Sequence, residues 1–350
     1  MAGPMVAPID RIVVGVDTHR DVHVAVALSR LGTYLGTISV PSTPVGYADL
    51  LHWAAALGPV VSFGIEGTGS FGAGLARWLT AHGHPVLEVD RPDRRARHRD
   101  GRSDPIDAET AARAVLSGRA SGVPKSGDGT VEMVRALRVA RRSAMKARTQ
   151  AANQLLALVL TAPPELREAL RGLAVPRLVE VASRFRPGPL IDPAGAMKRA
   201  LRHLARRHAA LSKEIVELDA DLATLVAEAA PELLAINGVG VEVAGALLVA
   251  AGDNPERLRG EASFARLCGV APLPASSGLT TRHRLNRGGD RSANNALWRI
   301  VIVRMGRDPL TQRYVTRRTE EGLSKGEIIR CLKRYVAREV FTALKGVDGL

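Results

Sequence analysis

Ile12-Val13-Val14-Gly15-Val16-Asp17 is a short, β-branched apolar run that closes on a carboxylate. A run of this length and composition reads as a buried strand. Outward from it, Val22, Val24 and Val26 alternate with His23 and Ala25, which predicts a second strand. Arg30-Leu31-Gly32 supplies a turn and residues 34–40 a third strand, completing a meander. Residues 45–57 place Leu50, Trp53 and Leu57 on one helical face. A strand over 60–65, a helix over 71–82 and a strand over 85–89 follow, and another helix begins near Asp104. Strand-strand-strand-helix-strand-helix-strand-helix predicts an α/β, RNase H-like domain over residues 1–125.

The pattern then turns helical. Thr130 to Leu160 lacks Gly and Pro, and its helix should stop at Pro163-Pro164. In a second long helix, Leu201, Leu204, Leu211, Ile215, Leu218, Leu222 and Leu225 follow 3-4 spacing, with His208 at the one missing position. Such a seam suits a coiled coil, within the chain or between protomers, or an amphipathic bundle helix. Residues 126–228 are therefore expected to be a helical linker and oligomerisation region, and 229–350 a mainly α-helical C-terminal domain.

Two acids end predicted strands: Asp17 the first, Glu66 the fourth. In an RNase H-like sheet those strands are parallel neighbours, so the acids meet. Asp104 and Asp107, three apart at a helix start, share one face. Four carboxylates repel one another unless divalent cations neutralise them. Two ions about 3.5–4 Å apart would clamp the entering and leaving oxygens of a phosphoryl transfer. Each acid also has an ordinary role open to it: Asp104 ahead of Pro105 suits an N-cap, and Asp107 suits a helix N-terminus.

Downstream, Gly269-Val270-Ala271-Pro272 leads to Ser276-Ser277-Gly278, then to Arg282, His283, Arg284, Arg287, Gly288-Gly289, Asp290 and Arg291. From residues alone this is a basic loop with small hydroxyls, suited to holding a phosphate with or without chemistry. Ile236-Asn237-Gly238-Val239-Gly240 resembles a helix-hairpin-helix turn, whose glycines Gly238 and Gly240 would let backbone N–H groups approach a phosphate; a plain helix-helix turn fits equally.

The acid quartet, set in Gly15-Val16-Asp17, Ile65-Glu66-Gly67-Thr68-Gly69 and Arg102-Ser103-Asp104-Pro105-Ile106-Asp107-Ala108, resembles the Asp-Glu-Asp-Asp signature of the "IS-one-ten" insertion-sequence transposases, relatives of the Piv invertases with a RuvC-like domain. That family usually has Lys-Thr-Asp where this chain has Arg102-Ser103-Asp104, and Glu-Ala-Thr-Gly at Glu66-Gly67-Thr68-Gly69. Pro272, Ser277-Gly278, Gly288-Gly289 and Arg291 match its second signature in order. The resemblance implies Asp17, Glu66, Asp104 and Asp107 as ligands of Mg²⁺ (or Mn²⁺). It also implies Ser277 as nucleophile, with Ser276 next, and a phosphoserine joined to the DNA 5′ end. Arg284, Arg287 and Arg291 could then hold the phosphate by forked hydrogen bonds. The resemblance further implies that sequence choice is delegated to a structured bridge RNA.

Bulk properties agree with a polyanionic partner. Lys plus Arg number 49 against 35 Asp plus Glu, a formal charge of +14. Arg94, Arg95 and Arg102 belong to a basic run just ahead of Asp104, suited to phosphate tracking. At 3% aromatic residues a base-stacking platform is disfavoured. Two cysteines exclude a disulfide framework or a cysteine zinc site and suit the cytoplasm. No run of about 18 apolar residues is present, so no membrane span is expected, and no export signal is visible. The expected partners are double-stranded DNA, donor and target, a guide RNA, and further copies of the chain in a dimer building to a tetramer. The alternatives are a metal-dependent junction nuclease that uses the quartet without serine chemistry, and a non-catalytic nucleic-acid-binding protein.

Overall fold

The computed structural model describes residues 11–89, 103–275, 283–286 and 288–345. The chain forms two compact units, Met1–Gly127 with Asn254–Arg259, and Asp128–Asp253 with Gly260–Leu350.

The first unit contains β1 (Ile12–Thr18), β2 (Val22–Ser29), β3 (Tyr34–Pro41), α1 (Pro44–Leu57), β4 (Val60–Glu66), α2 (Ala73–Ala81), β5 (Val86–Val89) and α3 (Asp104–Leu116). The sheet order is β3-β2-β1-β4-β5. The first three strands pair antiparallel, whereas β4 runs parallel to both β1 and β5. Every residue of the central β1 is buried, which is why it reads as a continuous apolar run instead of an alternating one.

Successive strand residues face opposite sides, and the two sides pack differently. Ile12, Val14, Val16, Phe63 and Ile65 meet Tyr47 and Leu50 of α1 and Leu75 and Leu79 of α2. Val13, Val26 and Leu28 meet Ala108 and Ala112 of α3. On this second side α3 lies unusually close. A Cβ at Gly15 would come within 2.1 Å of the Ala108 carbonyl oxygen and 2.3 Å of the Ala112 nitrogen; one at Gly64 would come within 2.5 Å of Val115 Cγ2. Glycine on the strands and alanine on the helix let the two backbones approach. The segment Asn254–Arg259 rejoins this unit. Asn254 Nδ2 donates to the Pro124 carbonyl at 3.0 Å and its Oδ1 accepts from the Ser126 amide at 3.1 Å, while Arg257 and Arg259 donate to the carbonyls of Val123 and Ser121.

The second unit contains α4 (Thr130–Leu160), α5 (Pro164–Leu170), α6 (Val175–Ser183), α7 (Pro193–Ala229), α8 (Pro231–Ala235), α9 (Val241–Ala251), α10 (Glu261–Leu267), β6 (Leu273–Pro274), β7 (His283–Arg284), α11 (Arg291–Arg307), α12 (Pro309–Glu320) and α13 (Lys325–Lys345). The predicted seam has a partner in the same chain. Leu201 and Ala205 of α7 pack with Leu155 and Val159 of α4, while Arg141 near the start of α4 pairs with Asp219 near the end of α7. The two long helices are thus antiparallel. Arg138, buried on α4, donates to Glu242 of α9 at 2.8 Å, which fastens a third helix to the pair.

Helix α4 takes its N-terminal cap from a distant residue. The amide of Val131 donates to Asp253 Oδ1 at 2.7 Å, in a buried setting. Removing the carboxylate would leave that amide unsatisfied. Asp253→Ala should therefore cost about 2 kcal/mol of stability, and Asp253→Asn, which keeps an acceptor, clearly less, as read from denaturant midpoints. No helix among the described residues is long and apolar enough to cross a membrane.

Candidate active site

The register of the sheet places two of the predicted acids together. β1 and β4 are parallel with Val16 opposite Ile65, so Asp17 and Glu66, one residue further on, stand side by side at the C-terminal strand ends. Both follow a close-packed glycine by two positions, Gly15 and Gly64, and so both belong to the sheet face covered by α3. The hydroxyl of Thr18 donates to the Glu66 carbonyl at 2.8 Å and straps the two strand ends. Gly67, with φ +73, then turns the chain away.

Helix α3 contributes the other two acids. It starts at Asp104 with Ser103 in the cap position, one residue earlier than an Asp104 N-cap would require. The Ser103 carbonyl accepts from the amides of Ile106 and Asp107 at 3.0 and 3.1 Å. The Asp104 side chain is therefore not the cap, and its Oδ1 lies 3.3 Å from Nε2 of His19. The same nitrogen lies 3.1 Å from Asp17 Oδ2. The ligand atoms of Asp17, His19 and Asp104 all fall within 4.8 Å of one another. Burial pushes the Asp17 carboxyl above the usual aspartate range; His19 draws it back, and the charges of Asp107 and Asp104 push it up further. Asp107 is thus close enough to act on Asp17.

His19 is the member that the sequence reading missed. Its signal was spacing, two residues past Asp17 and hence on the same side of an extended chain.

In the second unit, β6 and β7 pair antiparallel, Leu273 with Arg284 and Pro274 with His283. They bracket Ser276 and Ser277, which lie outside the described residues, as do Arg94, Arg95, Arg102 and Arg287. The base of this hairpin is built on glycine. A Cβ at Gly269 would stand 2.6 Å from the Gly288 carbonyl, and one at Gly289 2.5 Å from that of Leu267. Asp290 then caps α11, accepting from the amides of Ser292 and Ala293 at 2.7 and 3.0 Å.

A cavity of about 470 Å³ opens beside the hairpin base, with Pro272, Leu285 and Tyr335 among its apolar lining and Arg284, Arg330, Lys333 and Arg334 among its cations. Arg291 lines a neighbouring cavity with Asn294 and Trp298. Lys333 Nζ donates to Asn294 Oδ1 at 2.9 Å; burial, then Arg330, lowers its pKa. Burial and Asp290 push the Cys268 thiol up to about 12, so it stays protonated and is a poor nucleophile. Gly238, at φ +83, and Gly240 form the turn between α8 and α9. Arg304 of α11 already occupies the Asn237 carbonyl there, at 2.8 Å.

Comparison with known proteins bears on both halves. Residues 14–164 match a family model described as "Transposase" and named for IS110 and a DEDD signature. Residues 230–316 match a second, described as "Transposase IS116/IS110/IS902 family". The chain belongs to the IS110 family of transposases. The four acids fall within the first IS110 match, and the hairpin within the second.

Among individual relatives, the chain is 26% identical over 240 residues to the "Transposase for insertion sequence element IS1328" of Yersinia enterocolitica, covering 67% of this chain and 68% of that one. It is 31% identical over 120 residues to the "Insertion element IS110 uncharacterized 43.6 kDa protein" of Streptomyces coelicolor, covering 34% of this chain and 29% of that protein. The chain thus spans less than a third of the Streptomyces relative.

Proposed function

We propose that this chain is the transposase of an insertion sequence, and that it cuts and rejoins double-stranded DNA through a serine–DNA phosphoester. The first unit is read as RNase H-like, with Asp17, Glu66, Asp104 and Asp107 holding Mg²⁺ or Mn²⁺. The observation that carries this is the convergence of Asp17 and Asp104 on one nitrogen, beside the strand end that bears Glu66.

The donor set fits a hard divalent ion, because like charges gathered around a buried carboxylate call for a cation. When bound, such ions would stabilise charge on the entering and leaving oxygens. The residues themselves do the rest. Asp17 is held rigidly by a fully buried strand, and Asp104 and Asp107 by the first turn of α3, so the pocket is organised before DNA arrives.

Ser277 is proposed to attack the scissile phosphorus through Oγ. The serine loses its proton, the P–O3′ bond breaks, and the departing 3′ oxygen takes up a proton. The 5′ phosphate stays esterified to the serine until a 3′-hydroxyl of the new partner strand attacks it and restores the side chain. The energy of the broken phosphodiester is thereby kept for rejoining. Arg284 and Arg291 are proposed phosphate contacts. A bridge RNA would choose the sites by base pairing, and a dimer or tetramer would hold the two duplexes.

The test is a denaturing gel of a trapped reaction on labelled DNA. Wild type should give a protein–DNA adduct and Ser277→Ala none, with recombination reduced by about 10³-fold or more, the scale of losing a nucleophile. Free hydrolysed ends that do not depend on Ser276 or Ser277 would instead identify a metal-dependent junction nuclease.

A further inference from the structure

We propose that His19 is a ligand of the metal centre, and that its imidazole biases the site toward a transition ion such as Mn²⁺ over Mg²⁺; this rests on the reading of the acid cluster as a metal site.

Three observations carry it. First, the backbone aims His19 at the acids. Its amide donates to the Val22 carbonyl at 3.2 Å, closing the tight β1–β2 turn, and it follows Asp17 by two residues. Secondly, the spacing is that of ligands around one ion. Neighbouring ligands of an octahedral ion with bonds of about 2.1 Å stand about 3.0 Å apart. His19 Nε2 is 3.1 Å from Asp17 Oδ2 and 3.3 Å from Asp104 Oδ1. Thirdly, the imidazole side chain is half exposed, so it neither fills a core nor is locked away from an entering ion. In the liganded state Nε2 would carry the lone pair and Nδ1 the proton.

The chemistry sets the preference. Mg²⁺ is held by oxygen and keeps its waters, whereas first-row transition ions accept imidazole nitrogen readily. A carboxylate set with one imidazole therefore discriminates between ions that a purely carboxylate quartet would hold alike. The opposing possibility is that His19 is only a cationic neighbour of the acids. It would then compete with the incoming ion, and its removal would strengthen binding.

The experiment uses purified full-length chain, titrated separately with Mn²⁺ and Mg²⁺ by calorimetry, together with pulsed electron paramagnetic resonance of the Mn²⁺-loaded wild type. The expected result is a nitrogen-14 coupling from a directly bound imidazole in the wild type. In His19→Ala the Mn²⁺ affinity should fall about tenfold or more, with Mg²⁺ binding unchanged within error. Absence of that coupling, or Mn²⁺ affinity equal or higher in His19→Ala, overturns the assignment. The resonance measurement needs no variant and so survives any folding defect in His19→Ala. Asp17→Asn separates the two layers. It should weaken both ions, and if it weakens neither, the metal-site reading fails and the His19 assignment fails with it.

Discussion

A Gly15→Val variant should lose divalent-ion binding altogether, although residue 15 carries no donor atom. The Cβ would sit 2.1 Å from the Ala108 carbonyl oxygen and 2.3 Å from the Ala112 nitrogen. Both are backbone atoms, so no rotamer change can relieve the overlap, and α3 must move off the sheet. Overpacking of a close-packed interior costs about 1–3 kcal/mol and sometimes more, and a backbone-on-backbone clash belongs at the upper end. The same displacement carries Asp104 and Asp107 away from Asp17, because all three positions are set by where the helix touches β1. Gly36→Ala on β3 is the matched control, since a Cβ there meets Trp53 at an ordinary 3.5 Å. Calorimetric ion titration and a denaturant curve on each variant check the pair. Unchanged ion binding in Gly15→Val would separate the helix from the site.

Asp17→Asn should move activity and stability in opposite directions. Strand cleavage should fall by about 10³-fold or more, equivalent to about 4 kcal/mol of barrier, because the most buried member of the acid cluster no longer offers charge to the ion. The folded apoprotein should be at least as stable as wild type. The sign follows from the raised pKa. Burial and the neighbouring Asp107 and Asp104 hold the Asp17 carboxyl above its value in the unfolded chain, against the pull of His19. Ionisation at neutral pH is therefore a cost to the native state, relieved as pH falls through the native pKa. A neutral amide removes that cost at pH 7. Thermal unfolding in chelator, beside a cleavage assay with added ion, gives both readings. A drop in the midpoint comparable to that of a core truncation would show that Asp17 is structural.

Much of the first unit was legible because periodicity is a local property. A continuous apolar run predicted β1, alternation predicted β2, Asp17 and Glu66 were visible as charges closing apolar strands, and Asp104 and Asp107 as acids three apart at a helix start. The side-by-side placement of Asp17 and Glu66 needed only that their strands be parallel neighbours, as they are. What local pattern could not supply was long-range pairing. Nothing near Val131 announces that Asp253 caps its helix, and nothing in the α7 seam says that its partner is α4 in the same chain. Nothing local marks Gly15 and Gly64 as packing positions, because the helix that requires them lies far along the sequence. His19 escaped notice for another reason: a single histidine beyond a strand end is unremarkable until Asp104 arrives from elsewhere. The one-residue shift at the start of α3 is also a matter of tertiary context. With Ser103 in the cap position, Asp104 is released toward His19 instead of being spent on its own helix.

The return of residues 254–259 to the first unit has a consequence for how such elements diversify. Three separate side chains from that strip serve the backbone of residues 121–126. A fragment cut at Gly127 would forfeit all of them, so the first unit is not a bead that can be clipped from the string. Exchanging it between related elements would demand two matched crossovers, one on each side of a helical insert. Chimeras joined at a single point should inherit a frayed edge.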